Sequence, residues 1–264
     1  MLKLNQVRKT FNAGTINEKV ALDGLDLHLL PGDFVTVIGG NGAGKSTMLN
    51  AVAGVWPVDS GSITIDGVDV TGLPEYKRAQ YIGRVFQDPM MGTAPNMQIE
   101  ENLALAARRG RRRGLKWGVT QNEREFYHER LRSLGLGLED RMTSKVGLLS
   151  GGQRQALTLL MASLQKPKLL LLDEHTAALD PATAAKVLEL SDAIVQENGL
   201  TAMMITHNMK DAIAHGNRLI MMNAGRVILD IRGEEKKQLT KAQLLQKFAQ
   251  VAGEQEESDR VLLS

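Results

Sequence analysis

The most constraining feature of this chain is a short apolar run followed at once by a glycine-rich segment. Phe34–Ile38 is apolar and rich in β-branched residues, which is typical of a buried strand. Residues 39–47 then read Gly-Gly-Asn-Gly-Ala-Gly-Lys-Ser-Thr. Gly39, Gly42 and Gly44 permit backbone conformations closed to other residues, so that N–H groups can converge on an anion. The order of strand, glycine loop and Lys-Ser therefore predicts a phosphate-binding turn in an α/β fold.

The loop as a whole predicts an ATP site. A helix is expected to begin beneath the phosphates, with its unpaired N–H groups and positive dipole end facing them. Lys45 supplies charge for the β- and γ-phosphates, and Ser46 offers a hydroxyl to Mg²⁺. A glycine-rich turn without function is the alternative, and the ordered pattern weighs against it. The predicted ATP-binding residues of the loop are Gly39, Asn41, Gly42, Ala43, Gly44, Lys45, Ser46 and Thr47.

A second apolar strand ends in two carboxylates. Leu169–Leu172 is continuously apolar, as expected for a strand covered on both faces of a sheet. Asp173 is predicted to hold the Mg²⁺ shell, and Glu174 to polarise the attacking water as general base. Capping of the following turn is the structural alternative for either carboxylate.

A third segment, Leu149–Gln153, opens an apolar helical stretch over Ala156–Leu164. Ser150 is a natural N-cap, and the residues alone favour nothing more than a capped helix. Together with the glycine loop and the acidic strand end, however, this segment resembles the ATPase subunit of an ABC transporter over nearly the whole chain.

The resemblance implies a second role for this helix start. In that family Ser150, Gly151 and Gly152, flanked by Gln153, would contact the γ-phosphate of ATP held by another subunit. Two copies of the chain would then enclose two ATP molecules in a head-to-tail dimer. Asp180, in the motif Ala-Leu-Asp-Pro, would communicate across that dimer, and can also be the N-cap of a helix with Pro at its first position.

Two further strand ends complete the catalytic set that the resemblance implies. Gln87 would contact Mg²⁺ or water and sense the membrane partner, and His207 would contact the γ-phosphate. An ordinary strand-end glutamine and a satisfied structural histidine are the alternatives. The predicted catalytic residues are thus Glu174, His207, Gln87 and Lys45, and the predicted Mg²⁺ residues are Ser46, Gln87 and Asp173.

Phe11 resembles the aromatic residue that stacks on adenine in this family, and Val20 would join the same pocket. Core packing competes for both side chains. One departure from the family is His175, where Asp-Glu-Pro-Thr usually stands; it is expected to be tolerated with the hydrolysis chemistry unchanged. The segment His175–Pro181 resembles a subgroup of bacterial importer ATPases, some of them linked to aromatic amino acids.

The predicted fold is α/β, a P-loop NTPase core with a mainly parallel sheet, an antiparallel β portion and a helical subdomain. A length of 264 residues and a single motif set allow one ATPase unit, so two active sites need a second chain. Within a single domain over 1–264 the expected divisions are a catalytic core over 1–89 and 151–230, a helical subdomain over about 90–150, and a C-terminal helical extension with a polar tail over 231–264.

The composition and charge of the chain limit the classes of partner that it can be expected to bind. The chain has no cysteine and a formal charge of only +2, and we expect neither a secretory signal nor nucleic-acid binding. No apolar run is long enough to cross a bilayer. The resemblance implies a peripheral subunit on the cytoplasmic face of the cell membrane, with permease subunits and an extracytoplasmic substrate-binding protein as partners. The basic cluster Arg108–Lys116 is either solvated surface or a permease or lipid contact.

Two other functions stay open at this point. One is a soluble ABC ATPase that acts on DNA or ribosomes, although such proteins commonly carry a long coiled coil or two ATPase units. The other is the ATPase subunit of an exporter or lipid transporter, because substrate specificity lies mainly in other chains.

Overall fold

The computed structural model describes residues 1–110 and 118–252, with side chains up to residue 250. Most of the basic cluster, from Arg111 onward, and the polar tail beyond residue 252 lie outside the described residues. The strands are β1 (Leu2–Phe11), β2 (Lys19–Leu29), β3 (Phe34–Ile38), β4 (Ser60–Ile65), β5 (Val68–Asp69), β6 (Ile82–Val85), β7 (Leu169–Asp173), β8 (Thr201–Ile205), β9 (Arg218–Asn223) and β10 (Arg226–Arg232). The helices are α1 (Lys45–Ala53), α2 (Glu75–Arg78), α3 (Ile99–Ala107), α4 (Gln121–Arg132), α5 (Gly151–Ser163), α6 (Pro181–Asn198), α7 (Met209–Ala214), α8 (Gly233–Lys237) and α9 (Lys241–Ala252), with 3₁₀ turns at Glu139–Arg141 and Val146–Leu148.

A six-stranded sheet forms the centre of the molecule, in the order β10-β9-β3-β8-β7-β6. The strands from β9 to β6 are parallel, and only β10 pairs antiparallel with its neighbour. β3 and β8 are buried at every position, which explains their unbroken apolar sequences. Since the strands are parallel, the residues that follow β3, β7 and β8 emerge at the same edge of the sheet.

A second sheet of four antiparallel strands, β2-β1-β4-β5, covers one face of the first. Helix α1 lies in the apolar layer between them: Met48 and Val52 belong to one buried cluster with Leu4 of the small sheet and Val35 of the large one. The strand and the helix that flank the glycine loop are thus both anchored in the core.

The opposite face of the large sheet packs against helices. Leu170 and Leu172 of β7 join a cluster with Leu103 of α3 and Leu157 of α5, whereas Leu169 and Leu171 point into the layer that contains α1. This alternation is the period of two expected of a strand. The predicted α/β class, with a mainly parallel sheet, an antiparallel portion and helices between β6 and β7, is confirmed.

The helix ends are capped by residue types that are favoured at those positions. Thr120 and Glu123 form a reciprocal capping box at the start of α4, and Gly199 ends α6 in the left-handed conformation at φ 58°. Over the described ranges, no helix combines the length and the apolar character that a bilayer crossing requires.

Candidate functional site

The glycine loop has a shape that only glycine permits at two positions. Gly39 and Gly44 have φ values of 148° and 100°. A Cβ at Gly39 would lie 2.2 Å from the carbonyl oxygen of Met222, and one at Gly44 would lie 2.5 Å from that of Ala21. Both obstacles are main-chain atoms in neighbouring strands, so the loop cannot move aside for a side chain.

Lys45 is buried at the start of α1 and its side chain folds back across the loop. Its Nζ donates to the carbonyl oxygens of Gly39, at 2.6 Å, and Gly40, at 3.0 Å. The N-cap residue, Gly44, provides no side-chain acceptor for the first turn of α1. The ammonium and the helix N–H groups therefore face the region where a phosphate would bind.

A cavity of about 280 Å³ lies over this loop. It brings together eight of the residues that the sequence predicts for ATP and the predicted base Glu174, and it adds Lys19 and Ala21, which the sequence did not predict. The lining residues are Phe11, Lys19, Ala21, Asn41, Gly42, Ala43, Gly44, Lys45, Ser46, Thr47 and Glu174. The polar atoms of the loop at one end and the ring of Phe11 at the other suit a ligand with a phosphate tail and an apolar, planar part.

The side chain of Phe11 is partly exposed, and its ring contacts two neighbouring side chains. Its ring meets Trp56 edge to face, with centroids 5.0 Å apart, and the Nζ of Lys9 lies 5.6 Å from its centroid. Lys19 pairs with Phe11 in the β1–β2 register, which is why an exposed lysine reaches the cavity. Val20, the next residue on β2, is half exposed and does not line this cavity, so its contact with adenine stays a prediction.

Glu174 and His207 come together because β7 and β8 are neighbours. Glu174 follows β7, where its N–H donates to the carbonyl oxygen of Ile205 at 3.1 Å. His207 follows β8, and its Nδ1 lies 3.5 Å from Oε2 of Glu174. Glu174 adopts φ 43°, an uncommon conformation for a residue with a side chain, which is found preferentially at functional sites.

Asp173 has a partner that the sequence did not reveal. Nη2 of Arg84, on β6, lies 3.3 Å from Oδ2 of Asp173 and donates to Oδ1 of Asn50 at 2.8 Å. Burial raises the pKa of Asp173, although the charge and hydrogen bond of Arg84 oppose the shift, and the neighbouring Glu174 raises it further. A nearby cation reduces the electrostatic repulsion between these two adjacent, partly buried carboxylates.

The donors at this edge fit Mg²⁺ held largely by a nucleotide. Ser46 is exposed at the loop and Asp173 lies at the end of β7, so one hydroxyl and one carboxylate are available. Among residues 1–110 and 118–250, no three Asp, Glu, His or Cys side chains gather as a metal site. Mg²⁺ commonly binds through one or two protein oxygens, substrate phosphates and water. Gln87 is exposed two residues beyond β6 and does not line the cavity, so its Mg²⁺ contact stays a prediction.

The segment before α5 lies apart from this cavity. Ser150 and Gln153 cap α5 reciprocally, each accepting from the other's N–H at 3.2 Å. Ser150 and Gly151 are exposed, while Gly152 packs against α6. Asp180 caps α6, accepting from the N–H of Thr183 at 3.1 Å. None of these residues lines the cavity over the glycine loop.

Comparison with known proteins agrees with this arrangement. A family model described as "ABC transporter" matches residues 22–177. The chain is 45% identical over 248 residues to a tyrosine transport ATP-binding protein of Clostridioides difficile, covering 94% of this chain and 98% of that protein. It is 36% identical to the lipoprotein-releasing system ATP-binding protein LolD of a Ruegeria species, covering 86% of this chain and 97% of that one.

Solved structures similar to this chain include ADP states of ATP-binding cassettes. One is the dimeric, post-hydrolysis state of an ATP-binding cassette bound to ADP and Pi, with a TM-score of 0.74 and 31% identity over 88% of this chain and 98% of that one. Another is the ADP conformation of an ATP-binding cassette of an ABC transporter, with a TM-score of 0.76 and 27% identity over 94% and 98% of the two chains.

Proposed function

The chain belongs to the ABC transporter family as an ATP-binding and ATP-hydrolysing subunit, and we propose that it powers the import of a small solute through separate permease chains. The observation that carries this proposal is the cavity where the glycine loop, Phe11 and Glu174 meet. The proposed solute is an aromatic amino acid, since a tyrosine transport ATP-binding protein matches this chain along nearly its whole length. An extracytoplasmic binding protein would deliver that solute to the permease.

Binding is assigned to the glycine loop. The buried Lys45 and the uncapped first turn of α1 hold the phosphates of ATP, and Phe11 receives the adenine. Ser46 and Asp173, with Gln87, would hold Mg²⁺, which draws negative charge from the phosphates when bound. The N–H groups at the start of α1 are held in place by the helix, so little reorganisation of these donors is needed as charge develops.

Hydrolysis is assigned to the ends of β7 and β8. Glu174 accepts a proton from the attacking water, and its strand-end position keeps the carboxylate at the rim of the cavity. His207, 3.5 Å from Glu174, donates to the γ-phosphate and limits the positions that the carboxylate can adopt. Positioning and charge account for most of the rate in such a reaction.

The site is proposed to be completed by a second copy of the chain. Ser150 and Gly151 are exposed and lie outside the cavity of their own chain, as expected if they contact a nucleotide bound to the partner. A hydroxyl that accepts one hydrogen bond still has its own proton to donate, so capping of α5 leaves Ser150 able to contact a phosphate. Asp180, which follows the Glu174 turn along the chain, is assigned to the same dimer interface.

The test is purification of the complete membrane complex and its reconstitution into vesicles. We expect the chain to copurify with integral-membrane permeases and to hydrolyse ATP faster when the binding protein is loaded with tyrosine than when it is empty. Stimulation by an aliphatic amino acid alone would reject the substrate class. Copurification with ribosomes or DNA in place of permeases would reject import altogether.

A further inference from the structure

His175, which directly follows the proposed catalytic base, is buried and contacts α6, the next helix along the chain. Its side chain is 2% exposed, and its Nε2 lies 2.9 Å from Oγ of Ser191 on α6, itself 1% exposed. The Ser191 hydroxyl donates its only proton to the carbonyl oxygen of Val187, at 2.8 Å. This arrangement assigns the ring proton to Nε2, because the serine oxygen then accepts from it.

The turn that contains His175 begins at Glu174, whose backbone is held on both sides. Glu174 has φ 43°, which is costly for a residue with a Cβ and must be held by its surroundings. On the amino side, its N–H donates to Ile205 of β8. On the carboxyl side, its carbonyl accepts from the N–H of Ala177 at 2.9 Å, which makes His175 the second residue of a four-residue turn. The bond to Ser191 fastens that second residue to α6.

His175 occupies the second position of this turn, where proline is favoured because its ring fixes φ near about −65°. Histidine has no such covalent restraint and leaves the turn more conformational freedom. A buried hydrogen bond across 16 positions of the sequence supplies a restraint of a different kind.

We propose that His175 is a positioning residue, whose hydrogen bond to Ser191 holds the turn that directs the Glu174 carboxylate at the substrate, in place of the restraint that proline provides. This inference rests on the proposed role of Glu174 as general base. His175 itself contacts neither substrate nor the reacting water; it acts through the backbone of its neighbour.

The variants separate the hydrogen bond from packing. His175→Phe keeps a ring of similar shape and removes the donor, and Ser191→Ala removes the acceptor. His175→Gln keeps an amide N–H near the position of Nε2. Ser163→Ala is the matched control, because Ser163 is a buried helix hydroxyl that also donates to the carbonyl four residues back, at 2.9 Å, and has no histidine partner.

Steady-state ATP hydrolysis by the full-length chain in its membrane complex gives kcat and KM for each variant. We expect His175→Phe and Ser191→Ala each to lower kcat by about tenfold with KM unchanged, since ATP binding does not involve the turn. His175→Gln should recover about half of the wild-type kcat. Ser163→Ala should leave kcat unchanged, although it also removes a buried helix hydroxyl.

A proline background provides the sharpest readout. In His175→Pro the turn no longer depends on Ser191, so adding Ser191→Ala should not lower kcat further. An equal loss in both backgrounds would overturn the proposal, as would wild-type kcat in both His175→Phe and Ser191→Ala. If His175→Phe does not fold, the two serine variants and the proline background decide the matter.

The same assay separates this proposal from the role of Glu174. If Glu174→Gln loses turnover while His175→Phe and Ser191→Ala do not, only the positioning role fails. If Glu174→Gln keeps normal turnover, the assignment of the general base fails, and the positioning role fails with it.

Discussion

Two helices of this chain, α1 and α5, have glycines at or just before their first residue, and the surroundings of the two helix starts differ. At the start of α1, no side chain caps the first turn, Lys45 is buried, and a cavity lies above the loop. At the start of α5, Ser150 and Gln153 cap each other. Gly151 is exposed and does not line the cavity over the glycine loop of its own chain. Both helix ends have N–H groups and a positive dipole suited to an anion.

The difference indicates that the chain forms one phosphate site by itself. The start of α5, here named the prepared site, is proposed to act only with a second chain. The loop before α1 has its lysine, its aromatic residue and its carboxylate in place. The start of α5 has a serine hydroxyl and an exposed glycine, and the guanidinium of Arg154 nearby is hydrogen-bonded to the carbonyl oxygens of Gly147 and Leu149. In the head-to-tail arrangement proposed above, another chain would bring a phosphate to it.

The largest effect is expected at the complete site. Glu174→Gln keeps the shape of the side chain and removes the basic carboxylate, so we expect ATP turnover to fall on the order of 10²–10⁴-fold while ATP binding persists. Turnover by the purified complex and equilibrium binding of ATP measure the two quantities. Glu189→Gln, an exposed change on α6, is the control. Near-normal turnover in Glu174→Gln would remove this residue from catalysis.

An intermediate effect is expected at the prepared site. Gly151→Asp places a carboxylate beside the proposed γ-phosphate of the partner, so turnover should fall strongly while the monomer still folds. A Cβ at Gly151 would meet only a side-chain atom of Leu179, at 3.3 Å. Gly72→Asp is the control, because a Cβ there meets nothing within 4 Å. Full activity of Gly151→Asp would refute the contact.

Mixing two inactive variants tests the head-to-tail geometry directly. Lys45→Ala disables the loop of one chain, and Gly151→Asp disables the α5 start of the other. In a mixed dimer both defects then fall on one site, and the second site is intact. With equal mixing, half of the dimers are mixed and each has one of its two sites, so about a quarter of wild-type turnover should return. No recovery from two folded, dimerising variants would contradict this arrangement.

The sequence predicted the local parts of both regions well, because those parts depend on neighbouring residues. The buried strand Phe34–Ile38 and the caps at Ser150 and Asp180 lie where their patterns indicate. Family resemblance assigned both His207 and Glu174 to the ATP site, but the approach of one to the other was not predicted, since the local pattern of neither segment shows that β7 and β8 are adjacent.

The residues that sequence reasoning missed depend on contacts with other segments of the chain. Lys19 reaches the cavity through the β1–β2 register, and Arg84 reaches Asp173 because β6 lies beside β7. His175 was expected only to be tolerated, yet it is buried against Ser191. A lone exposed lysine, a strand arginine and a histidine in a turn carry no local signal of these partners, so only the tertiary structure reveals them.

The smallest expected effect is a difference in the free energy of unfolding between variants at the two adjacent glycines of α5. A Cβ at Gly152 would lie 2.1 Å from Cγ2 of Thr183 on α6, a side-chain atom on a stiff, β-branched residue. Gly152→Ala should therefore lower the free energy of unfolding by about 1–3 kcal/mol, a typical cost of overpacking, as measured by urea denaturation. Gly151→Ala should change it by no more than about 0.5 kcal/mol, as for most surface substitutions. Thr183→Ser removes the obstructing methyl group and should restore most of the loss in the double variant. Equal unfolding free energies for Gly151→Ala and Gly152→Ala would mean that Gly152 is not held against α6, and that both glycines, rather than Gly151 alone, are free to face a partner chain.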